Sequence, residues 1–131
     1  MVESRLLVLR ILCGAFVVSL GFYGLAVTAL ARGQAPVEVP DVLVVVLGAS
    51  GALSLVLAAI LGKTLRERPG ADPERAFFVG TLVAFALRES CAVLGLVLAF
   101  LARQPLWYAA FAAPAAIAML MGWPRSHDAS G

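Results

Sequence analysis

Four apolar runs, each long enough to cross a bilayer, occupy most of this chain and leave it few ways to fold. They cover residues 6–31, 42–62, 77–102 and 106–123, each 18 to 26 residues long. A helix needs about 20 residues to cross a hydrocarbon core of about 30 Å. None of the runs alternates strictly with period two, as a half-buried strand would. Apolar residues make up 62% of 131 residues, charged residues only 14%, and mean hydropathy is +0.97. Soluble domains hold about 45–50% and about 25%. A globular core of this size could not bury that much apolar surface, whereas lipid takes it directly. The expected fold is all-α. It is a single integral membrane domain over residues 1–131, an up-down-up-down four-helix bundle with both termini cytoplasmic.

Helix-ending chemistry follows every run. Gly33 and Pro36 follow the first, Gly62 closes the second, Pro105 ends the third and Pro124 the fourth. Pro114 should kink the fourth span unless a neighbour satisfies the carbonyl it frees. The loop over residues 63–75 is the strongly polar connection, with a turn at Pro69-Gly70. Asp72-Pro73-Glu74 then reads as a helix start, with Asp72 as N-cap and Pro73 in the first turn. Arg5, Arg10, Lys63, Arg66, Arg68, Arg75 and Arg125 fall on one side, against Arg32 and Arg103 on the other. Short loops rich in Lys/Arg stay cytoplasmic, which predicts a multi-pass protein of the bacterial inner membrane. Trp107 and Tyr108 at one end of the fourth span, and Trp123 at the other, suit the two interfacial belts. Arg5, Arg10 and Ala29-Leu30-Ala31 also fit a signal peptide, but residues 11–30 exceed the usual apolar region of 7–15 residues. The first helix is expected to be retained.

Several function classes drop out. A net charge of +2 without basic residues interleaved with aromatics argues against nucleic acid. Cys13 and Cys91 sit inside apolar runs and His127 stands alone, so no metal site or cofactor is expected and both thiols read as packing residues. No nucleophile–base pair suggests an enzyme. The expected partners are the lipid bilayer and either a second copy or another membrane protein. Small residues should make the helix contacts. The second span offers Ser50, Ser54, Ala58 and Gly62, and the third offers Gly80, Ala84, Arg88 and Ala92 with Cys91 and Gly95 alongside. Ala99 is placed toward lipid.

Composition does not explain Arg88 and Glu89 in the middle of the third span. Each costs roughly 2.5–3.5 kcal/mol at mid-membrane on insertion scales, so neither faces lipid freely. They lie about 100° apart around a helix, Arg88 in line with Ala84 and Ala92, Glu89 with Phe85, Val93 and Leu96. Together with Ser50 and Ser54 they form the candidate intramembrane polar site. Ser19, Tyr23, Thr28 and Ser90 are further hydrogen-bonding partners. One function follows if the pair locks the bundle or a partner: a structural or accessory-subunit role. Another follows if Glu89 takes and releases a proton: a proton- or ion-coupled transport component.

The segment over residues 73–102, with Ala86-Leu87-Arg88-Glu89-Ser90-Cys91-Ala92-Val93-Leu94-Gly95-Leu96-Val97-Leu98 within it, resembles the second helix of the ring-forming c subunit of rotary ATP synthases. That helix typically reads Ala-Leu-x-Glu-Ala, a spacer, then Gly-Leu-Val. The resemblance implies that Glu89 holds the ion-carrying position. It extends over about a quarter of the chain. The family's Gly-x-Gly-x-Gly repeat is replaced in the second span by Gly48-Ala49-Ser50-Gly51-Ala52. Its loop motif is absent ahead of this helix, and Arg88 is foreign to the pattern. As a whole the chain is more similar to small four-helix bacterial membrane proteins of no assigned activity, with a Glu-containing third span and a short, aromatic-started fourth.

Overall fold

The computed structural model describes residues 3–125, and His127 lies outside them. Four helices make up the fold: α1 (Glu3–Ala31), α2 (Asp41–Arg66), α3 (Pro73–Ala102) and α4 (Pro105–Met121). The first three are each long and apolar enough to cross a membrane. At 17 residues α4 is shorter, about 25 Å along its axis.

Local chemistry sets the boundaries, with two departures from the sequence expectation. Asp72 caps α3 as expected: its carboxylate accepts from the Glu74 amide at 3.3 Å, and Pro73 fills the first turn. The other end of α3 closes on Arg103, which adopts a left-handed conformation with φ 51°. There the Arg103 and Gln104 amides turn back to the carbonyls of Phe100 and Ala99 at 3.3 and 3.1 Å. Pro105 does not end α3 but opens α4, where a residue lacking an N–H costs nothing. Gly62 does not close α2 either, because the helix continues to Arg66. The apolar run stops at Gly62, but backbone hydrogen bonding does not depend on side-chain polarity. Pro114 stays within α4.

Helix α3 is the centre of the bundle, packed on by α1, α2 and α4, while α1 and α2 scarcely touch. The segment joining α1 to α2 passes over the end of α3, where the Val37 amide donates to the Ala102 carbonyl at 2.8 Å. That route carries the chain from one flank of α3 to the other. Contacts fix the relative directions. Arg5 meets Glu74, Phe16 meets Phe85 and Ser19 meets Glu89, so α1 runs parallel to α3. Gly62 lies against Ala84 and Gly51 against Cys91, so α2 is antiparallel. Gly95 lies on Phe111 and Gly122 on Arg88, so α4 is antiparallel too. All seven basic residues that the sequence assigned to one side therefore share one end of the bundle.

The contact faces are built from small residues. On α3, Gly80, Ala84, Cys91, Ala92 and Gly95 are buried as the small-residue line implied. On α2, Ala58 and Gly62 are buried, but the line then runs to Gly51 and leaves Ser50 and Ser54 only half-buried. Two placements are corrected. Ala99 does not face lipid: it is 1% exposed, inside the core of α3. Tyr108 is no interfacial anchor but a buried residue whose hydroxyl donates to the Leu20 carbonyl on α1. A tyrosine at a helix end suits a belt by composition. Here α1 passes alongside, and its carbonyl takes the hydroxyl.

Glycine is required at two close approaches. A Cβ on Gly95 would lie 2.3 Å from the Phe111 Cβ, and one on Gly80 would lie 2.8 Å from the Gly62 carbonyl oxygen. Gly21 and Gly48 have nothing within 4 Å of that position. Gly95→Ala and Gly80→Ala should each destabilise the protein by about 1–3 kcal/mol through overpacking. Gly21→Ala and Gly48→Ala should be neutral or stabilising by up to about 1 kcal/mol, since alanine is the better helix former. Thermal unfolding in detergent checks this. Equal effects at all four positions would show that these helix crossings are wrongly placed.

Candidate functional site

Arg88 and Glu89 sit halfway along α3, and the three surrounding helices send them to different neighbours. Glu89 points toward α1. Its Oε1 accepts from the Ser19 hydroxyl at 2.7 Å and from the Tyr23 hydroxyl at 3.1 Å. Ser19 and Tyr23 are one turn apart, so both hydroxyls lie on one face of α1 and converge on a single oxygen. Phe16, one turn further along that face, packs its ring against Phe85 at 6.2 Å between centroids. This apolar contact borders the polar one.

Arg88 follows a different course. Among the described residues it makes no ion pair with Glu89. Side chains on a helix lean toward its N-terminus, so Arg88 extends toward the end where antiparallel α4 finishes. Its guanidinium passes over the Phe85 ring at 5.6 Å and stops against Gly122, the C-cap of α4. A Cβ on Gly122 would lie 2.3 Å from Nη1. Two features favour a cation there: an aromatic face and the carbonyl-rich, electronegative end of a helix. Even so, Nη1 is buried without a hydrogen-bond partner among the described residues.

The other sequence-predicted residues are elsewhere. Ser50 donates to the Val46 carbonyl at 2.8 Å and Ser54 to the Ser50 carbonyl at 3.0 Å, both within α2. Thr28 and Ser90 likewise bond back four residues, to Gly24 and Ala86. Such back-bonding satisfies a hydroxyl without a neighbouring helix. The site at Glu89 is thus made with Ser19 and Tyr23 and excludes Ser50 and Ser54. Gly122 and Thr81 were not anticipated. Gly122 carried a weak signal, a glycine between an apolar run and Trp123-Pro124. Thr81 carried none beyond being a hydroxyl within the small-residue face of α3.

Contacts around the site tie the same helices together. Tyr108 ties α4 to α1 at Leu20, next to Ser19, and the Cys91 thiol points at the Phe111 carbonyl at 3.7 Å. Arg10 Nε donates to the Pro124 carbonyl at 3.2 Å, joining the start of α1 to the segment after α4. Among the described residues no three His, Cys, Asp or Glu side chains gather as metal ligands would. In comparisons with known proteins, the chain matches no family model, no curated sequence and no solved structure.

The hydroxyl contacts can be measured as couplings. In a double-mutant cycle of Tyr23→Phe and Glu89→Leu, thermal stability in detergent should show a coupling of about 1 kcal/mol, the scale of hydrogen bonds between membrane helices. Ser50→Ala with Glu89→Leu should be additive. Coupling at Ser50 and none at Tyr23 would place Glu89 against α2 instead of α1.

Proposed function

We propose that this chain is a multi-pass protein of the bacterial cytoplasmic membrane with a structural or accessory-subunit role, in which Arg88 and Glu89 lock the bundle. The observation that carries this reading is the divergence of the two charges. Glu89 takes two hydrogen bonds from α1, while Arg88 lodges against the end of α4. A single dipeptide on the central helix thereby fixes the rotation of α3 against two neighbours. Polar contacts serve this purpose in lipid, where apolar surfaces gain nothing by preferring one another over acyl chains. A second copy or another membrane protein would then dock on the apolar outer faces.

The gathering of seven basic residues at one end supports an orientation with both termini cytoplasmic. Single cysteines at Ala71 and Ala35, in a background lacking Cys13 and Cys91, test it in intact cells. A membrane-impermeant thiol reagent should label the cysteine at residue 35 and spare that at residue 71. The reverse pattern would overturn the orientation.

One feature favours the transport reading as a second possibility. Ser19 Oγ lies 2.7 Å from both Glu89 Oε1 and the Phe16 carbonyl oxygen. A hydroxyl has one hydrogen and two lone pairs. Ser19 can donate to an ionised Glu89, or accept from a protonated Glu89 while donating to Phe16. Both protonation states of the carboxyl therefore find partners, as an ion carrier needs. Glu89→Gln separates the two readings in proteoliposomes. If the role is structural, wild type shows no proton flux above empty liposomes. If Glu89 carries the ion, wild type conducts and the glutamine variant, still folded, does not.

A further inference from the structure

Where α1 and α3 begin, at the basic end of the bundle, they leave a cleft of about 460 Å³ between them. Val8 and Phe78 form its apolar wall, and Arg5, Asp72, Glu74 and Arg75 its polar rim. Two guanidiniums and two carboxylates thus share one opening, at an end of the fold where basic residues outnumber acidic ones. A smaller cavity of about 280 Å³ at the same end, lined by Arg66 and Arg125, has no carboxylate among the described residues. The rim of the larger cleft is only partly used within the chain. Arg5 Nη1 donates to Glu74 Oε2 at 3.2 Å and closes one side. Asp72 accepts the Glu74 amide on Oδ1 at 3.3 Å, and its Oδ2 has no hydrogen bond among the described residues. Arg75 has neither an ion pair nor a hydrogen bond among them. Both Asp72 and Arg75 are exposed, so a ligand in the cleft can reach each of them.

A ligand that matches this rim carries an anion and a cation a few bonds apart, with an apolar body behind them. A purely anionic headgroup would gain from Arg75 but be set against Asp72, and a purely cationic one the reverse. Helices α1 and α3 are each long and apolar enough to cross a membrane, which would bring the cleft to headgroup level. Val8 and Phe78 then lie one turn deeper than Arg5 and Glu74, on the acyl side. We propose that this cleft binds the phosphoethanolamine headgroup of a phospholipid. Its phosphate accepts from the Arg75 guanidinium, its ammonium donates to the Asp72 carboxylate, and its glycerol covers Val8 and Phe78. A guanidinium suits phosphate because its planar donors match two oxygens at once. A primary ammonium makes charge-assisted hydrogen bonds to a carboxylate, whereas the trimethylammonium of phosphatidylcholine has no N–H to donate. The volume is about fifteen times a water molecule's share of the liquid, enough for a headgroup of about a dozen heavy atoms with some hydration. Glu89 lies about 20 Å further along α3, so failure of this site would leave the locking role untouched.

A ligand that binds only the folded state raises Tm saturably. The full chain, freed of lipid in dodecylmaltoside, is titrated separately with phosphatidylethanolamine, its N-methyl and N,N-dimethyl derivatives, phosphatidylcholine and phosphatidylglycerol, and thermal unfolding is followed. Half-saturation is expected at about tenfold less phosphatidylethanolamine than phosphatidylcholine or phosphatidylglycerol, with a stepwise loss as each methyl group replaces a donor. Arg75→Gln should weaken phosphatidylethanolamine binding about tenfold. Asp72→Asn keeps the helix cap, since asparagine caps as well as aspartate. It should leave phosphatidylcholine binding unchanged and bring phosphatidylethanolamine down to the same level. Arg32→Gln, at the opposite end, should change nothing. Helicity by circular dichroism shows which variants fold, and if Arg75→Gln does not, Asp72→Asn decides. The proposal is overturned by no saturable response to phosphatidylethanolamine, by equal half-saturation with phosphatidylcholine, by a preference for phosphatidylglycerol, or by a preference that Asp72→Asn leaves intact. Free phosphoethanolamine acting at the same concentration as the lipid would overturn the assignment to a phospholipid.

Discussion

The fold depends on three helices coming close to α3, and a helix can be approached that closely only where its side chains nearly vanish. Helices of this apolar length would gain no hydrophobic drive from one another in lipid, where dispersion contacts between backbones and a few polar bonds do the work. Gly80, Ala84, Ala92 and Gly95 provide the gaps; the Gly62 carbonyl lies at Gly80, Gly62 against Ala84 and the Phe111 side chain at Gly95. The same demand explains why α3 is far more buried than α1 or α2. Those outer helices need only one narrow contact face and leave the rest of their apolar surface exposed.

Once α3 is surrounded, its two adjacent charges cannot share one environment. A step of about 100° turns Glu89 to parallel α1 and Arg88 to antiparallel α4. Direction matters as much as angle. Because α1 runs parallel to α3, hydroxyl side chains on its middle turns arrive level with Glu89. Because α4 runs antiparallel, its C-terminal end arrives where an arginine leaning toward the α3 N-terminus reaches. Breaking a buried ion pair by removing one member is costly, about 3–5 kcal/mol. Separate partners for each charge make the two residues less dependent on one another than their adjacency implies.

Polarity is distributed unevenly along the bundle. At one end the Arg5–Glu74 ion pair at 3.2 Å, the Arg10 bond to Pro124 and the Arg66-lined cavity surround the start of α1 and the segment after α4. An exposed ion pair of this kind contributes at most about 1 kcal/mol, so these contacts orient the end of the bundle more than they stabilise it. The opposite end carries Arg32 and Arg103, with Glu38 and Asp41 near Arg32 in sequence. The Ala102 carbonyl there is capped by the backbone of Val37, with no side chain involved.

The sequence alone determined four helices, their approximate spans, the Asp72 cap, the small-residue face of α3 and the conflict posed by Arg88 and Glu89. Each of these is local: run length, period, capping chemistry and the cost of a charge in lipid can all be read within one helix. Even Ser19 and Tyr23 were legible as available hydroxyls, though not as the ones used. Only the tertiary structure decided that Glu89 meets Ser19 and Tyr23 instead of Ser50 and Ser54, that Arg88 turns to Gly122, and that Ala99 and Tyr108 are core residues. These outcomes turn on which helices flank α3 and in which direction they run. Glycine and alanine recur on several faces of these helices, so a periodic pattern does not say which small-residue face receives a neighbour. That is settled when the Val37 segment crosses the end of α3 and sends α1 and α2 to different sides.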